Sequence, residues 1–136
     1  MSNIAELILH KRSKTLELVL NTGAHHTLTA EFLRVHSPSA EVRGHGKPSL
    51  QTGKKFVGIT QVTPIGRYGI KITFDDGHDT GLYTWQYLID LAQSASELWA
   101  NYLAALQDVG ASRDPDETVV KWAPPRRQEN QKKRGD

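Results

Sequence analysis

The sequence predicts an α+β domain: an antiparallel β-meander sheet, a short helix after the first strands, and a C-terminal helical segment packed on the sheet. Three observations carry that expectation. Leu16, Leu18 and Leu20, and later Tyr68, Ile70, Ile72 and Phe74, fall at every second position, the period of a strand with one buried face. Turn signals such as Asp76-Gly77 separate these runs at short intervals, so neighbouring strands pair antiparallel. Beyond Trp85 the apolar step changes to three and four, which places helices last. A meander of this kind excludes a doubly wound parallel sheet.

Taken in order, residues 4 to 10 and 15 to 21 are apolar-rich and joined by a short polar segment, which suggests a hairpin. His25-His26 follows in a segment ending at Leu28. Adjacent residues of a strand point to opposite faces, so these histidines do not share a metal and are expected at the surface. Thr29 is placed to cap a brief helix containing Phe32 and Leu33. Residues 37 to 55 are rich in Gly, Ser, Pro and Lys and form a connection longer than most loops. Its glycines at 44, 46 and 53 lack the spacing of a phosphate-binding loop, and Gly53-Lys54-Lys55 alone is weak evidence for one.

A strand is then expected over Phe56 to Thr63, a turn at Pro64-Ile65-Gly66, and a strand from Arg67 to Asp75. Asp76-Gly77 suits a two-residue hairpin turn, with Thr80 to Tyr83 returning as the partner strand. Leu88, Leu91, Ala95, Leu98, Trp99, Tyr102, Leu103 and Leu106 then form one helical stripe, expected in the core. Ser94-Ala95-Ser96-Glu97 fits a capping box, which predicts a break near Ser94, and Gly110 is expected to end the second helix.

A chain of 136 residues with 38% hydrophobic content suits one domain, expected at 1–110. The absence of cysteine removes disulfides, thiolate zinc sites and thiolate-held iron–sulfur clusters, and points to a cytoplasmic setting. No apolar run approaches a membrane span, and the start lacks the basic-then-apolar order of a secretory signal. Residues 123 to 136 hold five basic against two acidic side chains, so the first 122 residues sum to −1 against a total of +2. That division argues against a basic nucleic-acid face on the folded part. It leaves residues 111–136 as a polar, basic tail expected to be disordered, and the only place where RNA contact is expected.

The densest chemistry lies in Phe74 to Trp85, FDDGHDTGLYTW, where His78 stands among Asp75, Asp76 and Asp79. Two readings of it stay open. In one, Asp75 and Asp76 cap the turn and His78 is a half-exposed strand residue. In the other, His78 is a metal ligand or ligand contact whose tautomer the carboxylates fix.

FDDGHDTGLYTWQYL, the earlier LRVHSPSAEVRGHG and the intervening VTPIGRYGIKI together resemble the small domain at the N-terminus of γ-butyrobetaine hydroxylase and trimethyllysine hydroxylase. That domain also occurs alone in bacteria as a DUF971-type family of unknown function. The resemblance spans roughly residues 12 to 108, in several separated motifs in the right order. It does not imply hydroxylation, because that chemistry belongs in those enzymes to a separate oxygenase barrel for which this chain has no room. In metal-binding members, three cysteines after LR and the histidine of DGH hold one zinc. The resemblance puts Ser37, Ser39 and Val42 at the cysteine positions and leaves only His78, so that Cys3His site is expected to be lost. Hydrogen bonds and packing are then expected to hold the loop. No cofactor is expected, with a replacement zinc, nickel or iron site from His36, His45, His78 and Asp79 as the alternative.

The function expected from these readings is a noncatalytic binding or adaptor module. Its surface is expected around Arg34, His36, Asp76, His78, Asp79, Tyr83 and Trp85, facing a protein partner or small ligand. Similar domains are fused to P-loop iron–sulfur carriers, so the resemblance implies an accessory role in cluster or cofactor assembly. The alternative is a metal-dependent or acid–base enzyme using His78 with Asp76 or Asp79.

Overall fold

The computed structural model describes residues 3–39 and 50–115. Strands β1 (Ile4–His10) and β2 (Thr15–Leu20) form the expected hairpin, in register from Ile4↔Leu20 to His10↔Thr15 with one irregularity between Ile4 and Glu6. β3 (His25–Thr29) pairs with the other edge of β2. Leu16, Leu18 and Leu20 all face inward, as their alternation requires. His25 stands opposite Val19 and His26 opposite Leu18, so the two rings lie on opposite faces.

Helix α1 (Ala30–Val35) follows β3 without a loop, and the Thr29 hydroxyl accepts the Phe32 amide at 3.0 Å as the cap expected there. After the connection, β4 (Ile59–Ile65), β5 (Gly69–Phe74) and β6 (Leu82–Thr84) make a second antiparallel meander. The single meander sheet of the sequence reading is thus two three-stranded sheets. The reason is the insertion between them: α1 and a long connection separate β3 from β4, so each trio pairs only within itself. Their apolar faces close instead on one core, with Leu16 and Leu18 from the first sheet and Ile70, Ile72, Phe74 and Tyr83 from the second.

Two local expectations shift. Pro64 and Ile65 belong to β4, and the turn lies at residues 66–68, where the Tyr68 amide donates to the Ile65 carbonyl at 3.1 Å. Tyr68 therefore sits past the end of the ladder, 70% exposed, although its place in the alternation read as buried. At the other end of β5 the loop has three residues. The Gly77 amide donates to the Phe74 carbonyl at 3.1 Å and the Phe74 amide to the His78 carbonyl at 3.0 Å, with Gly77 at φ 94°. A left-handed glycine closing such a loop forms a bulge, which swings His78 out of the ladder instead of continuing it. β6 begins only at Leu82.

Helices α2 (Trp85–Gln93) and α3 (Ala95–Asp108) complete the fold. Thr84 caps α2 through its hydroxyl, which accepts the Tyr87 amide at 3.1 Å. The break at Ser94 falls where the spacing predicts it, but Ser94 makes no side-chain cap bond. Its backbone, at φ −111° and ψ 18°, stays close to helical, and its amide and carbonyl still bond to the Asp90 carbonyl and the Leu98 amide. A cap needs an extended residue, so the capping box does not form. Leu88, Leu91, Tyr102 and Leu106 of the apolar stripe are buried, while Leu103 is exposed.

The chain reverses at Gly110, yet the folded part does not stop there. Residues 111–115 run back across the connection before β4: the Gly53 and Lys55 amides donate to the Ser112 and Arg113 carbonyls, each at 3.0 Å. Arg113 grips Glu31 of α1 with two hydrogen bonds of 2.8 Å and lies over Trp99. The chain thus stays packed past the boundary expected at 110, through residue 115, and the remainder of the basic tail lies outside the described residues. Among the described residues no helix is long and apolar enough to cross a membrane.

Candidate functional site

The DGH segment meets the chain leaving α1. After Val35 the helix ends, with the Ser37 amide donating to the Arg34 carbonyl at 3.3 Å, and Ser37-Pro38-Ser39 runs against residues 78–81. The approach is close: a Cβ on Gly81 would stand 2.4 Å from the Ser37 hydroxyl oxygen and 3.0 Å from Pro38 Cδ. Only glycine leaves room for that crossing.

His78 is 7% exposed, so its ring is an interior residue and not the half-exposed strand residue of the simpler sequence reading. Its Nε2 shares a hydrogen bond with Ser37 Oγ at 2.8 Å and a longer one with Ser39 Oγ at 3.4 Å. The Ser39 amide also donates to Ser37 Oγ at 3.4 Å. The three side chains form a hydrogen-bonded clamp joining the end of α1 to the β5–β6 connection.

An ionic cluster lies on the other side of the same turn. Arg34 Nε donates to Asp76 Oδ2 at 2.9 Å, and Lys54 Nζ donates to the same oxygen at 2.8 Å. Asp76 Oδ1 accepts the His78 amide at 3.1 Å, the local turn bond expected of an aspartate at this position. Burial raises the Asp76 pKa, but the bonds from Lys54, the His78 amide and Arg34 outweigh it and hold the carboxyl down at about 2. Arg34 is itself 7% exposed, and its Nη1 is buried with no hydrogen-bond partner among the described residues. A buried donor left without an acceptor costs about 1–3 kcal/mol, and more when charged.

The remaining expected site residues go elsewhere. His36 turns its ring to the opposite side of α1, against Phe32 and Tyr102, where burial lowers its pKa although Nδ1 bonds the Phe32 carbonyl. Tyr83 is fully buried, its hydroxyl donating to the Leu33 carbonyl at 2.6 Å; its long strand-facing side chain is a strut between β6 and α1. Trp85 Nε1 donates to the Arg67 carbonyl at 2.9 Å, pinning the far turn of β4 and β5. The single exposed patch expected from these seven residues is therefore corrected: Arg34, His78 and Tyr83 face inward, His36 and Trp85 lie apart from the DGH turn, and Asp79 is half-buried beside it. Val42 and His45 lie outside the described residues.

Among the described residues, the donors at this turn do not make up a zinc site. Where a Cys3His site would put thiolates, Ser37 and Ser39 offer neutral hydroxyls already bonded to the His78 nitrogen that would face the ion. Among the described residues no group of three or more His, Cys, Asp or Glu side chains is placed to hold a metal. His36 cannot join His78, because α1 carries its ring to the other side.

Sequence reasoning missed Lys54, which completes the ionic cluster across 22 positions, and the Glu31–Arg113 pair. Gly53-Lys54-Lys55 carried no pairing signal, since the contact depends on how the connection folds back. It also missed the groove beside His36, of about 500 Å³, lined by Val35, Leu50, Leu98, Tyr102 and Val109 among others.

Residues 7–89 match the family model described as gamma-butyrobetaine hydroxylase-like, N-terminal. No match is found among the curated proteins. Two solution NMR structures are similar over nearly the whole chain. One is 56% identical, covering 90% of this chain and 98% of its own, with a TM-score of 0.77. The other is 47% identical over 94% and 95%, with a TM-score of 0.73. A crystal structure at 1.93 Å of a protein of unknown function from Acidithiobacillus ferrooxidans ATCC 23270, of the DUF971 family, is 34% identical. It covers 66% of this chain and 92% of its own, with a TM-score of 0.56. The family match spans more than half of the sequence and includes α1, both sheets and the DGH turn, so the chain belongs to the gamma-butyrobetaine hydroxylase-like N-terminal family.

Proposed function

We propose that this domain is a noncatalytic recognition module, an adaptor for a protein partner that works in iron–sulfur cluster or cofactor assembly. One observation carries the noncatalytic part. The groups with catalytic potential are engaged in holding the fold: His78 Nε2 with two serines, Asp76 with two cations, and the Tyr83 hydroxyl with a helix carbonyl. Acid–base work needs a group free to exchange a proton with a substrate, and nucleophilic work needs a nucleophile beside its base. At this turn Ser37 Oγ does lie 2.8 Å from His78 Nε2, but both side chains are buried, which leaves no open position for a substrate beside them.

Recognition is supported by what surrounds it. Cationic Arg34 and Lys54 stand at the DGH turn, and the groove between the end of α1 and α3 exposes Leu50 and Val109. An apolar groove on one side of α1 and a charged cluster on the other both suit a protein surface, where apolar anchors supply affinity and charge supplies orientation. The cluster-assembly assignment rests on the family resemblance. Without cysteine, the chain would assist a carrier and would not hold a cluster by thiolates.

Affinity capture from native lysate with the tagged full chain tests this. The expected result is stoichiometric recovery of an iron–sulfur carrier or scaffold, reduced by the substitution Lys54→Gln. Recovery of no stoichiometric partner, or turnover of a substrate abolished by His78→Gln in a folded variant, would contradict it.

A further inference from the structure

The ionic half of the turn holds more positive charge than the fold uses. Arg34 comes from α1, Lys54 from the connection before β4, and Asp76 from the loop after β5. Arg34 Nε and Lys54 Nζ reach one oxygen of Asp76, at 2.9 and 2.8 Å, and the other oxygen takes the His78 amide at 3.1 Å. Two full cations thus share one carboxylate. Arg34 alone would anchor the turn to α1, so the second cation is not needed for that contact. Nor has Asp76 a free oxygen directed at the other end of the guanidinium.

Arg34 Nη1 shows the same excess at the level of a single atom. It is buried, on a side chain only 8% exposed, with no acceptor among the described residues. A guanidinium is a rigid planar fork, and with Nε engaged, the Nη1–Nη2 end is the edge left to grip a two-oxygen anion. Lys54, whose side chain is 22% exposed, is the cation of the cluster that solvent reaches more readily. Unlike an arginine, its ammonium can rotate to share a donor between Asp76 and an incoming oxygen.

We infer that Arg34 and Lys54 form a binding site for an oxyanion, a carboxylate or phosphate group carried by the ligand or partner that the recognition reading requires. The inference rests on that reading and names its chemistry. A bound anion neutralises the charge that Asp76 leaves over, and pairing with Nη1, which solvent does not reach in this conformation, requires the cover over that nitrogen to shift. Carboxylate and phosphate both offer the paired oxygens the fork accepts, so the test separates them.

The experiment follows the Arg34 Nε–H and Lys54 amide resonances of the full chain by ¹H–¹⁵N NMR at low salt. Inorganic phosphate is titrated in one arm and acetate in another, with chloride at matched ionic strength as the blank. The expected result is a saturable shift in at least one arm, absent with chloride, and an affinity about tenfold weaker in K54Q. The K54Q spectrum should be otherwise unchanged, which checks its fold. R34K, which keeps the charge and loses the fork, should weaken binding as well. Saturation by phosphate, by acetate or by both supports the site and assigns the anion. A shift linear in added salt, a shift matched by chloride, or equal affinity in K54Q would overturn it. Failure here with a partner still captured removes the anion site and leaves the adaptor role standing; anion binding without any captured partner keeps the site and removes the adaptor role.

Discussion

The two sides of the Phe74–His78 loop differ in how their polar groups are satisfied, and the difference separates holding from binding. On one side, His78, Ser37 and Ser39 are buried and bond to one another. On the other, Arg34 and Lys54 outnumber Asp76 and leave a buried nitrogen without an acceptor. A self-satisfied cluster adds stability and offers nothing outward, whereas an oversupplied one keeps unused donors at a standing cost. The serine–histidine clamp is accordingly structural, and the ionic cluster is the side suited to a ligand.

The largest expected effect falls on the side of the serine–histidine clamp. Gly81→Ala puts a methyl 2.4 Å from Ser37 Oγ, so either the serine segment or the β5–β6 connection must move. Such overpacking is expected to cost about 2–3 kcal/mol, read by urea denaturation. Loss below about 0.5 kcal/mol would show that the crossing is looser than described.

Next comes acid. The folded Asp76 pKa of about 2 lies below its ordinary 3.8, so its contribution is complete above 3.8 and lost as pH falls toward 2. With solvent screening at a partly exposed carboxylate, that contribution is expected to be about 1–2 kcal/mol. Comparing wild type with Asp76→Asn between pH 5 and pH 2, roughly the span of the titration, measures it: the stability gap should close as pH falls. A gap that stays constant with pH would assign the effect to packing.

Much of the scaffold behind this comparison was legible in the chain. The β1–β2 hairpin, the Thr29 cap, the break at Ser94 and the reversal at Gly110 follow from local periodicity and local caps, each decided within a few residues. What was not legible is non-local. Two sheets arise in place of one because α1 and its connection intervene, and no residue signals how far a connection carries the chain. Tyr68 looked buried because alternation continues in sequence for one residue after the ladder has ended. Asp76-Gly77 signalled a turn correctly, but a bulge at Gly77 made it a three-residue loop and sent His78 inward. Arg34, Asp76 and His78 were singled out by motif and do meet at the turn. Lys54 was not, since its partner lies 22 positions away across an irregular segment.

Smaller effects sharpen the contrast. Ser37→Ala removes the 2.8 Å bond to His78 and leaves the longer bond to Ser39, so a loss of about 1 kcal/mol is expected by denaturant titration. Lys54→Gln should change stability least, by about 0.5 kcal/mol or less, because Arg34 keeps Asp76 paired.

These last two variants, measured side by side, give the most direct test. Stability and affinity for whichever of phosphate and acetate saturates the wild type are determined for Ser37→Ala and Lys54→Gln under one set of conditions. A crossed result is expected: Ser37→Ala is less stable and binds the anion like wild type, while Lys54→Gln is about as stable as wild type and binds the anion about tenfold more weakly. Both variants losing stability and affinity in proportion would show a single structural cluster with no division of labour, and would contradict it.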